Sequence, residues 1–449
     1  MTTPRRRLAH ASFWTMAGTS VQLGAGMLGS IGAARLLGAV RFGELAITRT
    51  TLLTFTLLSG ANLGVAASRA IAELRRTDAE RAGRVLGVLF DLSLIVSLVA
   101  ALLCLVLAVP ITRQLGMPHL TAVFALIAPA VLFASMGAVQ IGALNGFEAF
   151  AVGGWLLAAE GVLTAALLVG GAYADHVRGA VFGMILAAAA AYILRRRALA
   201  AICRAHGIVV RRGQRMTAEL PLLRTLVLPS ALFGLGTQPF AWLARALLAR
   251  GPDGLAAVGV FSAAYSWGAA VLMVPTQITR PSMPILTSLL AQGETANFKR
   301  LLRDMLLIAF GAGLLIALPV VVFARWIMGA YGSRFASGAL VLCLLALSSV
   351  LASLSAALRS ALVASGDAWG QVLQSLLWGC ALITTFFLAR RHGALALGIA
   401  YNVAFFVTLV SQAWIAAVML KTGRRIRAAV NLSDPAVAET TALFEEPKA

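Results

Sequence analysis

The sequence predicts an all-α polytopic membrane protein, with about 12 transmembrane helices in two pseudo-symmetric six-helix lobes around a central cavity. Three observations predict it. Of 449 residues, 60% are hydrophobic and 12% charged, whereas a soluble globular domain carries about 25% charged residues. Apolar stretches near the ~20 residues that cross a bilayer as a helix recur along the whole chain. One long basic segment then divides these stretches six and six.

Apolar windows bounded by charges place the spans at 11–34, 44–66, 86–109, 120–140, 153–173 and 178–194, then at 225–248, 255–278, 304–323, 337–358, 369–389 and 393–419. Span 1 follows a basic start (MTTPRRR), as a signal peptide would. Its apolar run continues to Ala34 without a cleavage site, so it reads as a retained helix. Five glycines (Gly18, Gly24, Gly26, Gly29, Gly32) allow it close helix contact or a place on a polar cavity wall. Span 2 carries Arg49 among threonines, span 3 carries Asp91 near its start, and span 5 carries Glu160 at its middle. Span 6 is the shortest. In span 7, Pro229 and Pro239 mark a broken helix, which is tolerated at membrane depth where it lines a cavity. Trp14, Trp155, Trp326 and Trp369 fall near span ends, as interfacial aromatics do.

The formal net charge is +20. On a soluble protein that excess would suggest nucleic acid. Here 26 of the 37 Lys and Arg residues fall on segments that are cytoplasmic if the N-terminus is inside, and nine fall on the opposite side. Positive charge collects in cytoplasmic loops, so the balance orients the chain with both termini in the cytoplasm and calls for no nucleic acid. The organisation that follows is a cytoplasmic N-terminus at 1–10, an N-lobe at 11–194, a basic cytoplasmic linker at 195–224, a C-lobe at 225–419 and a cytoplasmic tail at 420–449. The linker has eight arginines, suited to an anionic inner leaflet.

Short matches relate the halves. AARLLGAVRFGELAI after span 1 compares with LARALLARGPDGLAAVGVF after span 7, and ALNGFEAF with ALVASGDAWG, at offsets of 210 to 218 residues. Because each half has an even number of spans, both share one orientation, as in transporters that hold their substrate between two repeats.

Enzyme chemistry has little to stand on. The five histidines are scattered without HxxxH or HExxH spacing, and there is no phosphate-cradling P-loop. The four cysteines form no CxxC pair, so neither a metal site nor a structural disulfide is expected, and no cofactor is implied. The informative residues are ionisable groups inside spans, which are costly to bury and tend to face aqueous cavities. These are Arg49 and Arg245, with Gln238 seven residues before Arg245 on the same helical face, and Glu160. Arg35 stands at the end of span 1. Glu160 reads either as a coupling residue, as a contact for a substrate hydroxyl, or as the ion-pair partner of a buried arginine such as Arg49 or Arg245. Asp91 reads as the partner of a cytoplasmic arginine.

The stretches ARLLGAVRFGELA (33–46), NLGVAASRAIAELRR (62–76), ALNGFEAF (143–150), VGVFSAAYSW (258–267) and YGSRFASGALVLCLLAL (331–347) resemble the Wzx-type oligosaccharide flippases of the multidrug/oligosaccharidyl-lipid/polysaccharide exporter superfamily. The resemblance covers about residues 10–420. It implies two lobes rocking around a central cavity and a polyprenyl-diphosphate-linked glycan as cargo, moved from the inner to the outer leaflet of a bacterial cytoplasmic membrane. Membrane lipids, a polysaccharide polymerase and glycosyltransferases are the implied partners. Arg49, Arg245 and Arg35 are the implied diphosphate contacts, with Gln238 beside them. Members often show an acidic residue beside the seventh-span arginine, where this chain has Ala244. The competing readings are a drug/cation antiporter of the same superfamily, which should present several acids to its cavity, a peptidoglycan lipid-precursor flippase, and a membrane enzyme of glycan assembly.

Overall fold

The computed structural model describes residues 4–59, 61–213, 236–251, 253–279, 282–292, 294–364 and 368–421. Among the described residues the regular structure is all helical, and nine helices are long and apolar enough to cross a membrane. Two of the nine are composite. Pro4–Ser59 breaks at Gly38 (φ 73°, ψ 174°) into spans 1 and 2, and Phe150–Ala205 breaks at Asp175–His176 into spans 5 and 6. Dividing them gives eleven crossings among the described residues. Gln238–Ala249 is the described part of span 7, and Pro229 lies outside the described residues. The other spans are Ala79–Gln114 (3), Thr121–Gly146 (4), Gly254–Thr279 (8), Thr295–Val322 (9), Ala339–Ala364 (10), Ala368–Ala389 (11) and Ala394–Lys421 (12). Of the expected tail, only its first two residues are described.

One expectation is corrected. Span 6 is not short: its helix continues through Arg195 and Cys203 to Ala205, so 195–205 is helix and not loop. An apolar window stops at the RRR triplet, but a helix needs only one apolar stripe to stay packed. Leu199 and Cys203, four residues apart, supply it, being 4% and 3% exposed. Pro239 sits in the first turn of Gln238–Ala249, where its missing N–H costs nothing; the part of span 7 before residue 236 lies outside the described residues.

Repeat geometry extends past the sequence matches. Helices begin at Ala79 and Thr295, 216 residues apart, and at Phe150 and Ala368, 218 apart. The tight turn between spans 5 and 6 places His176 at φ 45°, ψ −127°, and the turn between spans 11 and 12 places Gly393 at φ 54°, ψ −126°. Two turns 217 residues apart thus share one unusual conformation, with glycine in one and histidine in the other.

Within the N-lobe, spans 1 and 5 pack backbone to backbone. Gly18 meets Gly154, Gly29 meets Ala165, and Gly161 meets Gln22, while Gly24 and Gly26 face open space. The small residues of span 1 therefore divide between close packing and open surface. The lobes meet at the 35–46 end. Gly43 lies against the Leu255 carbonyl and Gly259 against the Ala39 carbonyl, so neither position has room for a Cβ. Phe42 stands edge-on to Tyr331 and Phe335, with centroids 6.4 and 5.8 Å apart. Trp242 Nε1 of span 7 donates to Thr51 Oγ1 of span 2 at 2.9 Å. The molecule is closed at this end.

Candidate functional site

Away from the closed end are two cavities that adjoin at Thr276 of span 8. One, of about 290 Å³, lies between the lobes, with Thr15, Thr19, Asn145 and Arg195 on the N-lobe side and Met273, Thr276 and Gln277 on the other. The second, of about 320 Å³, lies within the C-lobe among spans 7, 8, 10, 11 and 12. Among its described lining residues Arg359 is the sole charged side chain, the rest being amides, hydroxyls, aromatic rings and small apolar groups.

The five residues singled out from sequence do not form one cluster. Arg49 is exposed while its neighbours Thr48, Thr50 and Thr51 are buried. It lies close enough to the Tyr331 hydroxyl of the other lobe to interact with it electrostatically. Exposed between buried threonines and within electrostatic reach of Tyr331, Arg49 stands at the boundary of the lobes. Arg245 is different. It is 5% exposed, and its guanidinium carbon sits 4.5 Å from the Tyr265 ring centre and 5.6 Å from that of Phe261. A planar cation over aromatic faces is stabilised by about 0.5–2 kcal/mol, so rings take the place of the acid that Ala244 does not supply. Its Nε is buried without a hydrogen-bond partner. Gln238, one helix face along, lines the C-lobe cavity, as do Tyr265 and Tyr401 in front of Arg245.

Arg35 belongs to the closed end. Its Nε donates to the Ala330 carbonyl at 2.6 Å, near the C-terminus of the short helix Ala324–Tyr331. Carbonyls in a last helical turn lack intrahelical donors and carry partial negative charge, so a lobe-bridging arginine is held there.

The expected pairing of Glu160 with Arg49 or Arg245 is corrected. Its partner is Arg195, with Nη2 2.6 Å from Oε1 and side-chain exposures of 6% for the arginine and 23% for the acid. Arg195 had been assigned to the basic linker, yet it projects from span 6 at the wall of the inter-lobe cavity. Arg359, just beyond the expected end of span 10 at residue 358, is inside that span's helix on the C-lobe cavity. A signal for both was present: apolar residues continue at helical spacing beyond each arginine, Leu199 and Cys203 after one, Ala361 and Leu362 after the other. Cys203 is correspondingly a buried helix residue and not a loop cysteine. Asp91 behaves as expected, accepting from the Gly213 N–H at 2.7 Å and lying 3.8 Å from Arg212 Nε.

The arrangement is a two-lobed helical bundle, closed at one end, with polar and cationic cavities toward the other. Solved structures share that class of fold. An inward-facing multidrug resistance MATE family transporter of the MOP superfamily aligns at 14% identity over 92% of this chain and 100% of that one, with TM-score 0.77. An outward-facing MATE family transporter of the MOP superfamily aligns at 16% identity over 94% and 97%, with TM-score 0.66. A MOP superfamily transporter from Pyrococcus furiosus, described as having a binding pocket of reverse polarity, aligns at 17% identity over 94% and 97%, with TM-score 0.60.

Residues 8–290 match the family described as "Polysaccharide biosynthesis protein", and the chain belongs to that family. The EPS I polysaccharide export inner membrane protein EpsE of Ralstonia nicotianae is 28% identical over 203 residues, and its counterpart in Ralstonia solanacearum 27% over 202. Each of these matches covers 43% of this chain, which spans 45% of the length of these relatives.

Proposed function

We propose that this protein moves a polyprenyl-diphosphate-linked oligosaccharide from the inner to the outer leaflet of a bacterial cytoplasmic membrane, by alternating access of its two lobes, for cell-surface polysaccharide synthesis. The observation that carries the reading is the pair of adjoining cavities with Arg195 and Arg359 on their walls, opposite an end closed by lobe-to-lobe contact. With the orientation expected from the charge balance, the closed end faces outward and the cavities face the cytoplasm, where such a lipid is made. A diphosphate needs charge-assisted donors, and arginine offers a planar fork that fits phosphate oxygens. Arg49, between the lobes, is a third candidate donor; Arg245, behind its rings, contributes charge more than contact. The diphosphate would meet Arg195 only in competition with Glu160.

A drug/cation antiporter is less well supported, because no Asp or Glu is among the described residues lining either cavity. Export would run with the membrane potential, since moving negative charge outward across an inside-negative membrane gains ~2.3 kcal/mol per charge per 100 mV.

The test is deletion of the gene in a polysaccharide-producing host, followed by measurement of which leaflet holds the lipid-linked glycan. The expected outcome is accumulation on the cytoplasmic leaflet. Normal arrival of the glycan in the outer leaflet would overturn the reading.

A further inference from the structure

The C-lobe cavity has a chemical gradient along its walls. Rings form one end: Tyr401 is in edge or tilted contact with Tyr265, Trp378 and Phe405, all at centroid distances of 5.6–6.4 Å. Amides and hydroxyls follow along the same helices. Gln412 is eleven residues beyond Tyr401 on span 12, about 16 Å along a helix. Its Oε1 accepts from Ser355, and Gln374 Oε1 accepts from Ser411. Arg359, one turn past Ser355, ends the series.

Buried polar groups at this wall are left unused. Trp378 Nε1 and the Tyr401 hydroxyl have no hydrogen-bond partner among the described residues, and both residues line the cavity, as does Gln371, which is 6% exposed. A buried polar group without a partner is costly, and a ligand supplying donors and acceptors there would relieve that cost. Because the described lining includes no carboxylate, an organic cation is poorly served, and the row of amides penalises a bare hydrocarbon chain. A sugar ring suits all three zones. Its C–H faces pack on aromatic rings, its hydroxyls both donate to and accept from amides, and a phosphate attached to it would meet an arginine.

Building on the function proposed above, we infer that the C-lobe cavity is a carbohydrate subsite: the sugar next to the diphosphate of a lipid-linked glycan lies on Gln371, Gln374 and Gln412, further sugar extends toward Trp378 and Tyr401, and the diphosphate lies at Arg359. Recognition is then split, with the sugar read by neutral groups of the C-lobe and the charge read by arginines.

The experiment uses the full chain in lipid nanodiscs and two probes, undecaprenyl diphosphate without sugar and the undecaprenyl-diphosphate-linked glycan extracted from producing cells. Binding is read by native mass spectrometry. Wild type is expected to prefer the glycan-bearing lipid by about tenfold, and Gln371→Leu to reduce that preference to within about twofold while binding the sugar-free lipid as wild type does. Arg359→Gln should weaken both lipids. Gln412→Leu, altering another amide of the proposed subsite, is read in the same way and serves if Gln371→Leu fails to fold. A preference retained in the folded variants overturns the subsite. Equal binding of the two lipids by wild type overturns it while leaving the flippase reading standing, and binding of neither lipid by wild type overturns both.

Discussion

Arg195 and Glu160 form a nearly buried ion pair at a cavity wall, and removing one partner strands the other. Glu160→Gln is expected to destabilise the purified protein by about 1–3 kcal/mol, read as a lowered melting temperature in detergent, with partial recovery in Glu160→Gln/Arg195→Met. If Glu160 also couples transport to an ion gradient, the single variant will lose its response to proton or sodium gradients; an unchanged response leaves it a structural partner. His176 makes the opposite kind of prediction. It holds a backbone conformation that its repeat partner Gly393 fills without a Cβ. His176 is exposed, so His176→Gly should relieve strain and raise stability by about 1 kcal/mol, measurable in the same melt. The sequence offered ion pairing for Glu160 but named the wrong arginines, and it gave no sign of the strain at His176. Ion-pair partners on different helices are set by packing, and a histidine among loop residues does not announce its φ.

At the scale of elements, the closed end depends on helices approaching at Gly43 and Gly259. A Cβ at Gly43 would meet the Leu255 carbonyl, which cannot swing aside as a side chain can. Gly43→Ala is therefore expected to favour separation of spans 2 and 8. In a background with the four native cysteines replaced by serine, Thr51→Cys should react with a membrane-impermeant thiol reagent several-fold faster when Gly43→Ala is also present. Equal rates would show that the contact does not hold the end shut. Span positions were largely legible, because a bilayer requires apolar length and charges interrupt it. Helices nonetheless start earlier than expected in spans 3 and 9, and in spans 6 and 10 they run on through Arg195 and Arg359. Hydropathy alone cannot tell an arginine that ends a helix from one that continues it into a cavity; the apolar stripe beyond each arginine can. The amide-lined wall of the C-lobe cavity was legible only at Gln238, because Gln238, Gln371 and Gln412 come from three helices and only folding brings them to one space.

At the scale of the whole molecule, the orientation expected from the charge balance predicts that reporters functioning only in the cytoplasm are active when fused after residue 449 and inactive when fused into the loop near Gly116. The opposite pattern would reverse the assignment of the closed end. The excess of basic residues thus mostly positions the protein, while a handful of buried arginines give the cavities their electrical character. Arg245 shows how. It sits one layer behind the cavity wall, screened from contact by Tyr265, in surroundings where water cannot damp its charge. An anion approaching the C-lobe feels its pull over several ångströms but finds no guanidinium there to clasp. Under the proposed function, attraction without a grip favours entry and exit alike: an anionic cargo would be drawn in by a field and would have no strong ion pair with Arg245 to break on leaving, a useful property for a machine whose task would end only when it let go.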